Sequence, residues 1–150
     1  MRYLGIDYGS KRVGLSLSDE KGKIAFPYKI IPNNIELLDS IHNICGIEEI
    51  STIILGESHD LSGEPNKIMG SIEGFKNKLN LEVGLPIYFQ KEFMTTIHAR
   101  GLPTQAGREG KEINNAKKVS KIKNAAADAS AAALILQRYL DKKNNSNYLC

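Results

Sequence analysis

Residues 1–19, "MRYLGIDYGSKRVGLSLSD", decide how the rest of the chain is read. Tyr3, Leu4 and Ile6 form an apolar run with strand character, and "RVGLSLS" at 12–18 alternates with the period of two that a half-buried strand requires. Between them, Gly9, Ser10 and Lys11 make a short polar turn. Asp7 ends the first strand as a carboxylate in an otherwise hydrophobic context, where an uncompensated charge is costly.

Working outward, "DEKGK" at 19–23 is a polar turn centred on Gly22, and "IAFPYKII" at 24–31 resumes an extended pattern. Pro27 inside that third strand calls for an edge position or a bulge. Pro32, Asn33 and Asn34 stop the strand and offer a helix cap; Ile35, Leu38, Ile41 and Ile44 follow at helical spacing, with Leu37 and Ile47 widening the stripe. "STIILG" at 51–56 reads as a buried strand, a second helix is expected near 65–80, and "LPIYFQKE" at 85–92 is the fifth strand. Thr95 and Thr96 offer a cap for a short helix. The last helix is expected from about Asn124 to Asp141, with a frayed tail over 142–150. The order β-β-β-α-β-α-β-α-α predicts an α/β domain: a five-stranded mixed sheet, a three-strand meander followed by two parallel strands, with helices packed on it.

The 150 residues suffice for one domain with a real core. The longest apolar runs, Ile53–Leu55 and Ala131–Leu136, fall far short of a membrane span. Two cysteines exclude a secreted disulfide scaffold, and the absence of a leader pattern leads to the expectation of a reducing cytoplasm. A net charge of +3 is mild, so the distribution of charge matters more than its sum.

Three acids stand where hydrophobic patterning would not place them: Asp7, Glu92 at the end of the fifth strand, and Asp128 early in the last helix. At about 100° per residue, Ala132, Ile135 and Tyr139 fall near Asp128 on one stripe, the stripe that has to face the sheet. Singly, each acid has a plain structural reading as a helix-dipole partner or a solvated strand end. Together, parallel strand ends and a helix terminus would bring three carboxylates to one place. An all-oxygen set suits Mg2+ or Mn2+ rather than zinc, and such ions activate water and stabilise the leaving oxygen of a phosphodiester. Gly5, Gly9 and Gly14 fit either close approach of a polynucleotide or tight strand packing.

"GIDYGSKRVGLSLSD", "IILGES…SGEP", "LPIYFQKEFMTT" and "AADASAAALILQRYLD" resemble, in order, the motif blocks of the YqgF family. Its members are the pre-16S ribosomal RNA nucleases, also called Holliday-junction-resolvase-like proteins, of the RNase H-like superfamily. The resemblance runs from residue 2 to about 141. It implies an RNase H-like fold and divalent-metal-dependent hydrolysis of phosphodiesters with water as nucleophile. It also implies Asp7 as first-strand ligand, Glu92 as second acid and Asp128 as helix acid. Two blocks depart from the family pattern: Lys91-Glu92-Phe93 stands where Asp-Glu-Arg is usual, and Gly56-Glu57-Ser58 where Gly-Leu-Pro is usual. Glu57 therefore offers a compensating carboxylate.

Arg108, Lys111, Lys117, Lys118, Lys121 and Lys123 outnumber Glu109 and Glu112 in the stretch leading to Asp128, which suits phosphate as well as it suits a solvated loop. Lys11 and Arg12, just past Asp7, are further candidates for phosphate contact. The expected partner is nucleic acid, either a ribosomal RNA precursor or branched DNA. A resolvase cutting two strands symmetrically would work as a homodimer. Two other classes fit parts of the pattern: a binding module with weakened chemistry, and an ATP-using enzyme of the actin and sugar-kinase group, which shares the D-x-G at 7–9. The latter needs two lobes, and the length allows one.

Overall fold

The strand pattern of the first third folds as its periodicity dictates, and the remaining elements build on it. In the computed structural model, residues 1–58, 69–92 and 116–147 are described, with backbone alone for 58, 69, 92 and 116–128. The elements are β1 (Arg2–Tyr8), β2 (Arg12–Ser18), β3 (Ala25–Pro32), α1 (Leu37–Ile47), β4 (Ile50–Ser58), α2 (Met69–Val83), β5 (Ile87–Glu92) and α3 (Ala116–Ser146). One five-stranded sheet runs in the order β3-β2-β1-β4-β5. β1, β2 and β3 pair antiparallel as a meander, whereas β4 and β5 lie parallel to β1.

Alternation sorts the strands into two faces. On one, Leu4, Ile6, Val13, Leu15, Ile53 and Leu55 are buried with Ile41 of α1 and Phe75 and Leu79 of α2. On the other, Tyr3 and Ile54 pack with Ile135, Leu136 and Leu140 of α3. Each such aliphatic side chain contributes roughly 1.5–3 kcal/mol when fully buried. The α3 face is closed at its far end by tyrosines: Tyr139 lies 6.1 Å, centroid to centroid, from both Tyr3 and Tyr88.

The β2–β3 turn is held by Asp19, whose Oδ1 accepts from the amides of Lys23 at 2.7 Å and Ile24 at 2.9 Å. Those amide bonds, Ile24 foremost, draw the Asp19 carboxyl below its usual range. Gly22 supplies the left-handed backbone, φ +63°, that the turn needs. Pro27 lies on an edge strand, and the pairing slips by one residue beside it, between Leu15 and Ser16 of β2. Both outcomes anticipated for that proline occur together.

Two expectations need correction. α1 begins at Leu37, with Glu36 as its cap residue, and buries Leu37, Ile41, Ile44 and Cys45. Ile35 and Ile47, counted into its stripe, are 96% and 77% exposed because they fall outside or at the end of the helix. α3 starts eight residues before Asn124 and runs through Ser146 instead of fraying after Asp141. Its last turns are tied down: Lys143 donates to the Tyr3 hydroxyl and packs on that ring, and Asn144 Nδ2 donates to the Gly22 carbonyl at 3.1 Å. The Thr95–Thr96 helix lies outside the described residues. No helix among them is long and apolar enough to cross a membrane.

Burial pushes the Cys45 thiol up to about 11. At neutral pH it is therefore protonated as well as shielded. Alkylation of Cys45 by iodoacetamide, followed by peptide mass spectrometry, is expected to be on the order of a hundredfold slower in the native chain than in denaturant.

Candidate active site at the sheet edge

Parallel strands end on the same side of a sheet, so β1, β4 and β5 deliver Asp7, Ser58 and Glu92 to one edge. Parity then decides the face. Ile6 joins the α1/α2 core and Tyr8 stacks on Phe75 of α2 at 4.7 Å, so Asp7 between them belongs with Tyr3 and Gly5 on the α3 face. Ile87 and Phe89 pack toward α1/α2, while Tyr88 stacks on Tyr139 of α3; position 92 follows Tyr88 and Gln90 onto the α3 face. Ile6 stands beside Leu55, and Leu55 beside Phe89. One residue further along, Asp7, Gly56 and Gln90 form a row across three strands. Gly56 leaves that row without a side chain at its centre. Glu92 stands two residues beyond Gln90, about 6.6 Å further along its strand.

α3 reaches the same edge from above. A Cβ built on Gly5 would lie 3.0 Å from the Ala132 carbonyl oxygen and 2.8 Å from Leu136 Cβ, so the helix backbone presses on β1 at that residue. The other end of α3 sits over the start of β1, at Tyr3. Helix and strand therefore run in opposite directions. Asp7 is about 6.6 Å beyond Gly5 along the strand, and Asp128 is about 6 Å beyond Ala132 along the helix. The two acids are carried to one end by elements already in contact.

The turn after Asp7 is braced from β3 and the segment behind it. Asn33 Nδ2 donates to the Gly9 carbonyl at 2.8 Å, and the Asn33 amide donates to the Lys11 carbonyl at 2.9 Å. Lys11 in this braced turn and Arg12, the first residue of β2, are both exposed beside the acid edge. Lys117, Lys118, Lys121 and Lys123 occupy the helix upstream of Asp128, which continues for about 16 Å from Asp128 back to Lys117. Their side chains, like those of Glu92 and Asp128, lie outside the described residues, as do Arg108 and Lys111.

Glu57 does not join the row. It shares the parity of Ile53 and Leu55 and so falls on the α1/α2 face, opposite Asp7. The patterning overlooked Gln90, a 5% exposed polar residue in the row with Asp7, whose Nε2 donates to the Lys91 carbonyl at 3.3 Å. Part of its signal was in the sequence, a polar residue on an otherwise apolar strand; its register with Asp7 runs through β4 and emerges only in the sheet. Asn33 was read only as a helix cap.

Among the described residues no group of three His, Cys, Asp or Glu side chains surrounds a metal position, and Asp7 is the described carboxylate of the row. The donor chemistry at this edge nevertheless suits a hard cation: the acids that the backbone assembles carry only oxygen ligands, over a glycine that leaves room.

A family model described as "RuvX: Holliday junction resolvase" matches residues 1–142. A Pelagibacter ubique protein named "Putative pre-16S rRNA nuclease" is 32% identical over 147 residues, covering 97% of this chain and 91% of its own. A Rickettsia typhi protein of the same name is 34% identical over 140 residues, covering 92% of this chain and 83% of its own. In fold, the chain is similar to T. thermophilus RuvC, solved in complex with a Holliday junction substrate. The TM-score is 0.54 and the identity 14%, covering 95% of this chain and 96% of that one.

The Asn33 brace is open to a direct check. Asn33→Ala removes the side-chain bond and is expected to destabilise the fold by about 0.5–1.5 kcal/mol, read as a fall of a few degrees in the thermal midpoint.

Proposed function

The chain belongs to the RuvX (YqgF) family of Holliday-junction-resolvase-like nucleases, and from that premise we propose that it is a divalent-metal-dependent endonuclease acting on structured nucleic acid, with the precursor end of 16S ribosomal RNA as its substrate. The reading is supported above all by one observation. The backbone carries Asp7 and Glu92 to one edge of the sheet, and the helix that crosses β1 at Gly5 carries Asp128 toward the same end.

Asp7, Glu92 and Asp128 would hold Mg2+ or Mn2+ there. A bound divalent ion supplies Lewis acidity toward the phosphoryl oxygens. The chain's own groups do the rest. Carboxylates at this edge accept the proton as water adds to phosphorus and the P–O bond to the leaving strand breaks. Lys11 on the braced turn and Arg12 at the start of β2 draw the phosphate backbone toward the acids, and the lysines at 117, 118, 121 and 123 extend that attraction along the helix. Gly56 lets the substrate sit low between β1 and β5. The choice of ribosomal RNA over branched DNA rests on the names of relatives that match nearly the whole chain. A ribosomal RNA substrate would place the work in the cytoplasm.

The test is cleavage of four substrates in Mn2+: a ribosomal RNA precursor, single-stranded RNA, duplex DNA and a four-way junction. The precursor is expected to be cut, and EDTA to stop the reaction. Asp7→Asn is expected to lower the rate on the order of 10²–10³-fold. Glu57→Gln, on the far face, is expected to stay within about twofold of the parent. Preferential cutting of the junction would transfer the substrate to branched DNA. Binding that survives EDTA, with no cleavage in either ion, would leave a nucleic-acid-binding module instead.

A further inference from the structure

Resting on that nuclease reading, we propose that Ser16 is a positioning residue: its hydroxyl, latched to the Ala132 carbonyl, sets the height of the helix bearing Asp128 over the strand bearing Asp7. Ser16 is fully buried on β2, and its Oγ donates to the Ala132 oxygen at 2.8 Å. In a regular helix that carbonyl already accepts from the amide four residues on, so α3 does not need Ser16 to complete its own pairing. The bond instead ties helix to sheet. Other such ties lie further toward the C-terminus of α3: Gln137 Oε1 accepts from the Ala25 amide while its Nε2 donates to the Lys23 carbonyl, Lys143 donates to the Tyr3 hydroxyl, and Asn144 donates to the Gly22 carbonyl. Among the described residues, Ser16 makes the tie nearest Asp128, one helical turn away.

Gly5 makes the latch possible. It faces Ser16 directly across the β1–β2 ladder. A Cβ there would stand 2.3 Å from Ser16 Oγ, besides meeting Ala132 and Leu136. The missing side chain opens a slot, and the hydroxyl spans it. Packing alone would not select serine at this position, because alanine fills nearly the same volume without introducing a polar atom that must find a partner. What the hydroxyl adds is a fixed separation between two backbones, and carboxylates that share an ion tolerate displacement of only a fraction of an ångström. Ser16 touches neither substrate nor ion; it acts through the placement of Asp128 relative to Asp7.

The experiment measures Mn2+ binding to the full chain by electron paramagnetic resonance of the free ion, without nucleic acid, alongside cleavage kinetics and thermal midpoints. Ser16→Ala is expected to bind Mn2+ about tenfold more weakly, the scale seen when the partner of a ligand-bearing group is removed. Its kcat is expected to fall while KM for nucleic acid holds, and excess Mn2+ is expected to restore part of the rate. Ser16→Cys keeps the shape of the side chain, is slightly larger and donates only weakly, and it should show the same loss if the alanine variant fails to fold. Leu140→Ala, in the same layer at the far end of α3, should lower the thermal midpoint at least as much yet keep parental Mn2+ affinity. Unchanged Mn2+ affinity and kcat in both Ser16 variants would overturn the proposal. So would losses matched by Leu140→Ala, which would make Ser16 a stability residue only. Asp7→Asn separates the two levels: if it binds Mn2+ like the parent, the nuclease reading itself falls; if it loses Mn2+ while the Ser16 variants do not, only the positioning role falls.

Discussion

A helix settles on a sheet at a distance set by the side chains between them, and where α3 crosses β1 there is almost nothing between. Gly5 presents bare backbone, Ala132 presents a methyl group, and the carbonyl of the helix comes within hydrogen-bonding range of a buried β2 hydroxyl. This contact fixes the layer spacing on one side of the domain. Larger residues fill the space beside this contact and onward toward the C-terminal end of α3, where Leu136, Leu140 and Tyr139 pack with Tyr3 and Ile54.

The two faces of the sheet divide the work. The α1/α2 face holds most of the aliphatic core, and the charges it tolerates lie at its margins, such as Arg2, whose Nη1 sits 2.7 Å from Glu48. The α3 face has a shorter apolar layer that gives way, toward the C-terminal ends of the parallel strands, to Asp7, Gly56 and Gln90. A two-residue period makes this division strict: a single step along β4 moves a side chain from one layer to the other. Glu57 illustrates the rule. It is close to Asp7 in strand register yet separated from it by the thickness of the sheet.

Much of this was legible in the chain. The alternation in β1 and β2, the Gly22 turn, the edge character of β3 and the βαβ succession all come from periodicity and turn chemistry, which act locally. The family motifs pointed to the acids, and the strand register brings positions 7 and 92 to one edge of the sheet. What escaped notice depends on contacts between distant segments. The extent of α3 is invisible in "KKVSKIKN" and "KKNNSN", which lack an apolar stripe; its last turns are secured by Tyr3 and Gly22, more than a hundred residues away. Ile35 and Ile47 look like core by spacing, but the helix begins too late to bury the first and ends on the second. Ser16 reads as one polar residue in an alternating strand. Its meaning appears only when Ala132 is seen above it.

The meander also ends in an unusual border. β3 is the outer strand on its side, and Pro27 and Pro32 deprive it of two amide donors in eight residues. A neighbouring molecule that tried to extend the sheet there would meet those gaps and the pairing slip opposite Pro27. Self-association by strand zippering is thus discouraged along this flank, so any pairing of two copies has to be built from helical or loop surfaces, or from the opposite flank of the sheet.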